Sequence, residues 1–66
     1  MQLKQSLAFH GYKVVDLYRR MIKRYNVTYQ MIAKYCRCIS TRGHDPMVWE
    51  WILEELKEME VNWDGR

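Results

Sequence analysis

The 66-residue chain has no covalent means of holding distant parts of a fold together, because its two cysteines, Cys36 and Cys38, are separated by one residue. A core of this size rarely contributes more than about 3–5 kcal/mol of net stability. The chain must therefore bury its apolar side chains efficiently or cover them with a second subunit. Nine aromatic residues are many for such a core, so we expect some at an interface, for which a homodimer is one candidate.

The spacing of apolar residues predicts an all-α fold, a small bundle of three helices that forms a single domain over residues 1–66. One Pro and three Gly leave few breaks in the chain. Apolar residues recur at steps of three and four from Leu3 to Met21, which predicts a first helix over about residues 3–25. Gly11 interrupts this helix, so we expect either a bend or a break that yields a fourth helix.

Two further helices are predicted from their starting residues. Thr28 is a good N-cap for a helix over residues 28–37. Asp45 followed by Pro46 is the preferred start of a helix, here predicted over residues 46–60, because proline is favoured at the first helical position. The residues after this helix are expected to fray.

Charge is distributed unevenly along the chain. Residues 1–44 hold nine of the basic residues and one acid, whereas residues 45–66 hold two basic residues and seven acids. We expect a dipolar bundle with a separate positive surface, which could follow a phosphate backbone or meet an acidic protein.

Residues 27–40 resemble the first half of a helix-turn-helix in small phage and bacterial DNA-binding regulators. In that family a Thr opens the positioning helix, an Ile-Ala pair packs where the two helices cross, and a Ser lies in the turn. Thr28, Ile32, Ala33 and Ser40 match these roles. The resemblance implies a helix-turn-helix-like arrangement within the bundle and a small regulator or accessory protein that binds double-stranded DNA.

The helix that this family places in the major groove is acidic here, and its glutamates would repel phosphates. We therefore expect DNA contacts from the basic residues before it and from the loop that precedes it. The candidate DNA-binding residues are Arg20, Arg24, Lys34, Arg37, Thr41 and Arg42.

A second interpretation places the binding surface on the acidic, Trp-rich C-terminal helix. Aromatic side chains among charges are typical of protein interfaces. In this interpretation the chain is a phage- or plasmid-type inhibitor or adaptor that binds a host protein. Its candidate contact residues are Trp51, Glu54, Glu55 and Trp63.

Other classes of function have less support in the sequence. Cys36, Cys38, His44 and His10 offer zinc ligands, but a C-x-C spacing departs from the usual structural pattern, so we expect two reduced thiols and no metal or cofactor. The sequence has no glycine-rich loop that could cradle a phosphate and no nucleophile with an orienting base. We therefore do not expect an enzyme. The start lacks a secretory signal and no stretch is long enough to cross a membrane, so we expect a cytoplasmic protein without a membrane partner.

Overall fold

A computed structural model describes residues 1–65. The described chain forms four helices and no strand, which confirms the all-α prediction. The helices are α1 (Leu3–Phe9), α2 (Val14–Ile22), α3 (Tyr29–Cys36) and α4 (Pro46–Met59).

Gly11 separates α1 from α2 rather than bending one long helix. With φ of 85°, it occupies the left-handed region that glycine enters without steric cost. The Gly11 N–H donates to the Ala8 carbonyl oxygen (3.0 Å) and the Tyr12 N–H donates to that of Leu7 (2.8 Å), which is the bonding pattern of a Schellman motif. The break near Gly11 is therefore confirmed. The predicted extension to Tyr25 is wrong, because α2 ends at Ile22.

The predicted starts of α3 and α4 are confirmed by their caps. The Thr28 hydroxyl accepts a hydrogen bond from the Met31 N–H (3.1 Å), and the Asp45 carboxylate accepts one from the Met47 N–H (2.9 Å). Nine residues, 37–45, connect these two helices. This connection is longer than the three or four residues that join the helices of a helix-turn-helix.

The core forms where α2 packs against both α3 and α4, with α1 packed on α3. The C-terminal tail closes it, because Val61 and Trp63 are 2% and 4% exposed. For residues 61–65 the prediction that this tail frays is therefore wrong, and Arg66 lies outside the described residues. Other buried apolar side chains come from every helix, among them Leu3, Leu7, Leu17, Met21, Ile32, Tyr35, Trp49, Ile52 and Leu56.

The end of α4 repeats the Schellman pattern with a residue that is poorly suited to it. Glu60 has φ of 59°, and the Val61 N–H donates to the Leu56 carbonyl oxygen (2.9 Å). A residue with a Cβ is strained in this region by about 1–2 kcal/mol. We expect Glu60→Gly to raise the free energy of unfolding by about 1 kcal/mol in urea titrations. Glu60→Ala is the control, since it removes the same charge but keeps the strain and should give no such gain.

Candidate functional site

The exposed side of α3 carries a polar and basic stripe. Gln30, Lys34 and Arg37 occupy positions i, i+4 and i+7, which share one face of a helix. All three are exposed, while Ile32, Tyr35 and Cys36 point into the core from the opposite side. We call Gln30, Lys34 and Arg37 the α3 face. The prediction included Lys34 and Arg37 as DNA contacts but omitted Gln30, which the i, i+4, i+7 spacing could have added.

The loop after α3 is tied to the rest of the fold at several backbone groups. The Thr41 N–H donates to the Gly65 carbonyl oxygen (2.9 Å), and the indole N–H of Trp49 donates to that of Gly43 (3.1 Å). The Tyr35 hydroxyl accepts from the Asp45 N–H (3.0 Å). These bonds hold Thr41 half-buried and leave Arg42 exposed. The loop therefore presents Arg42 from an anchored backbone.

Arg20 and Arg24 are paired with the acidic helix instead of standing on a separate positive surface. Arg20 Nε donates to Glu55 Oε1 (3.1 Å), and Arg24 Nη1 donates to Glu55 Oε2 (3.2 Å) and to Glu58 Oε2 (3.1 Å). The hydrogen bond to Glu58 and the charges of both carboxylates raise the pKa of Arg24 above its usual value. The predicted separation of the two charges is therefore wrong at this contact between α2 and α4.

The other basic side chains of the N-terminal part have no carboxylate partner among the described residues. Of the nine basic residues that precede Gly43, only Arg20 and Arg24 form an ion pair with a carboxylate of residues 1–65. No acidic residue occurs between positions 17 and 44, so α3 and the loop as far as His44 carry positive charge alone. The unpaired cations, all exposed, are Lys4, Lys13, Arg19, Lys23, Lys34, Arg37 and Arg42.

The residues of the protein-binding interpretation do not form one exposed surface. Trp63 is in the core, where its ring stacks on Trp49 with centroids 5.5 Å apart, and Glu55 is 2% exposed. The prediction that these two side chains face a partner is wrong. Trp51 is half-buried because its ring stacks on Tyr25 (4.4 Å, 9°), and Glu54 is exposed.

The cysteines are free thiols. Cys36 is buried, and burial raises the pKa of its thiol to about 12, so this thiol stays protonated at neutral pH. Within residues 1–65, no three His, Cys, Asp or Glu side chains come together as metal ligands. His44 packs against the Tyr35 ring instead (5.1 Å).

No helix in the described part of the chain has the length and apolar character needed to cross a membrane. Comparison of the chain with protein-family models, with curated proteins and with solved structures found no match.

Proposed function

We propose that this protein binds double-stranded DNA through the α3 face, as a small regulator or accessory protein. The observation that supports this proposal is the exposed stripe of Gln30, Lys34 and Arg37 on a helix without any acidic residue. In this proposal α3 takes the groove-reading role that the helix-turn-helix resemblance assigns to the following helix.

The chemistry of the α3 face suits the edges of base pairs and the phosphates beside them. A glutamine side chain can bind both N6 and N7 of adenine, and lysine or arginine can bind O6 and N7 of guanine. A helix of eight residues is roughly 12 Å long. The major groove is about 12 Å wide and admits a helix. One such helix would span a few base pairs.

The acidic helix does not oppose this docking, because α3 and α4 meet through their buried sides. Tyr35 of α3 and Trp49 of α4 contact each other edge to face, with ring centroids 4.9 Å apart. Glu50 and Glu54 of α4 are exposed, whereas Tyr35 and Trp49 are buried. These two carboxylates are therefore not part of the buried contact between α3 and α4.

The loop adds a second basic contact. Arg42 lies five residues beyond Arg37, and an extended chain of that length spans at most roughly 18 Å. Both residues can therefore reach phosphates of one binding site, with Arg42 on a backbone that Gly65 and Trp49 hold in place. Thr41 can add a hydroxyl contact from the same loop. Arg20 and Arg24 are excluded as principal contacts, because Glu55 and Glu58 occupy their guanidinium groups.

The proposal predicts different effects for two lysines that occupy equivalent positions. Lys34 and Lys57 are both exposed and both lie in the last turn of a helix. Lys34→Ala should weaken binding to a random duplex and reduce the slope of log K against log salt concentration by about 1. Lys57→Ala, which removes the same charge, should leave both unchanged. Fluorescence anisotropy of labelled duplex over a range of salt concentrations measures both quantities.

Equal affinities of the two variants would show that any DNA binding depends on net charge and not on the α3 face. Failure of the unmodified protein to bind duplex at low salt would contradict the proposal altogether.

The alternative function, binding of a host protein by α4, now depends on Trp51 and Glu54. Both remain at the surface, whereas Glu55 and Trp63 do not. A pull-down from host lysate with and without nuclease separates the two functions. The alternative would be favoured if a host protein is still enriched after nuclease treatment and is no longer enriched by the Trp51→Ala variant.

A further inference from the structure

An apolar groove lies between the end of α1 and the C-terminal tail. Its volume is about 490 Å³, and the side chain at its edge, Phe9, is 85% exposed. The Phe9 ring is braced edge to face against His10 (5.4 Å), whose Nδ1 is 2.9 Å from the Ser6 carbonyl oxygen. The groove is lined by Met1, Ser6, Phe9, His10, Asn62, Trp63 and Asp64.

This surface has little net charge, unlike the α3 face and the outer side of α4. Asp64 is its one acidic residue, and the Asp64 carboxylate lies 3.5 Å from the amino group of Met1. The α3 face is basic and the outer side of α4 is acidic. Two copies that met α3 face to α3 face, or α4 to α4, would repel each other because like charges would come together. Two copies that met through the groove would not.

We propose that the groove is a homodimer interface in which Phe9 of each copy enters the groove of the other. A two-fold axis pairs a surface with itself, so a self-complementary surface needs both a projecting group and a place to receive it. The groove and Phe9 meet this requirement within one patch. Burying a phenylalanine side chain removes about 150–250 Å² of surface from contact with water. A two-fold dimer buries two such side chains, one from each copy.

A specific dimer would cover a moderate share of the exposed area of this protein. Standard interfaces bury roughly 800 Å² on each partner. The described chain exposes 4469 Å², so such a dimer would cover about a fifth of it. Met1, 59% exposed beside the groove, extends the apolar centre, and the exposed Asn62 and Asp64 supply a polar rim. The dimer does not depend on the proposed DNA binding.

Sedimentation equilibrium between roughly 10 μM and 1 mM protein tests the dimer, because weak and moderate affinities fall in this range. The mass should rise with concentration from 8.2 kDa towards twice that value. Phe9→Glu should remain monomeric at every concentration, because transferring a carboxylate from water into an apolar groove costs much free energy. Phe9→Ala, which adds no charge, should weaken association by about tenfold or more.

Met47→Glu is the matched control. Met47 is 56% exposed on α4, outside the groove, and the substitution places the same charge on an exposed apolar position. This variant should associate like the unmodified protein. A monomer at every concentration, or dimers of Phe9→Glu as stable as those of the unmodified protein, would overturn the proposal. Far-UV circular dichroism checks that each variant is folded.

Discussion

Replacing Arg20 and Arg24 together by methionine is expected to unfold much of the protein at 25 °C. Glu55 is 2% exposed, and these two arginines supply the hydrogen bonds that both of its oxygens accept. Removing the partners of a buried charge typically costs about 3–5 kcal/mol. A core of this size has roughly that much stability in total. Urea unfolding followed by circular dichroism measures the loss.

The neighbouring residues Arg19 and Lys23 provide the control for this prediction. Both are exposed and unpaired among the described residues, so Arg19→Met with Lys23→Met removes the same charge from α2 and its end. It should change stability by no more than about 0.5 kcal/mol. Adding Glu55→Leu to the Arg20→Met, Arg24→Met variant should restore much of the loss, because the unpaired carboxylate is then gone. Equal stability of the two double variants would contradict the account.

The second large effect is expected from Trp63→Ala in the tail. The Trp63 ring is 4% exposed, stacks on Trp49, and donates its indole N–H to the Met1 carbonyl oxygen (3.0 Å). Truncating a buried tryptophan to alanine costs about 3–5 kcal/mol. A Cβ at Gly65 would collide with the same indole, so the tail is closely fitted around this ring. The loss should appear in urea titrations as a large fall in the unfolding midpoint.

Trp51→Ala is the comparison, because the same substitution is made at a half-buried ring. Trp51 loses mainly its stacking on Tyr25, and aromatic pairs contribute about 0.5–1.5 kcal/mol beyond area burial. Trp63→Phe keeps most of the buried ring but loses the hydrogen bond to Met1, and should lie between the two. A Trp63→Ala protein as stable as Trp51→Ala would show that the tail does not close the core.

The sequence predicted the helices well because their signals are local. Thr28, Asp45 and Pro46 act on the few residues that follow them, and their caps have the expected bonds. The break at Gly11 was predictable for the same reason. It depends on one residue, a glycine that can adopt a φ of 85°. The end of α2 was less predictable. Apolar spacing continues through Tyr25, but the chain turns after Ile22 to reach α3.

The pairing of charges could not be predicted from the sequence. Arg20 and Arg24 lie 35 and 31 residues from Glu55, and only the packing of α2 on α4 brings them together. Composition indicated two charged halves and could not show that part of each neutralises the other. The burial of the tail was not predicted for a related reason. The residues next to Trp63 in the sequence are polar, and they give no sign of its long-range contacts.

The candidate site was predicted in part. Lys34, Arg37 and Arg42 are exposed, as expected for residues that contact DNA. Their role stays a prediction. The helix-turn-helix resemblance places the groove-reading helix at α4, whereas the uninterrupted positive charge lies on α3. Gln30 was not among the predicted contacts, although groove contacts also use amide side chains.

Titration of the ¹⁵N-labelled protein with a short duplex, followed by amide chemical shifts, tests the central claim most directly. We predict shifts that concentrate on Gln30, Lys34, Arg37 and Arg42 and that weaken as salt is added. The amides of Glu50, Glu54 and Lys57 should not move, and they serve as internal controls. Shifts confined to α4, or no shift anywhere at low salt, would contradict the assignment of DNA binding to the α3 face.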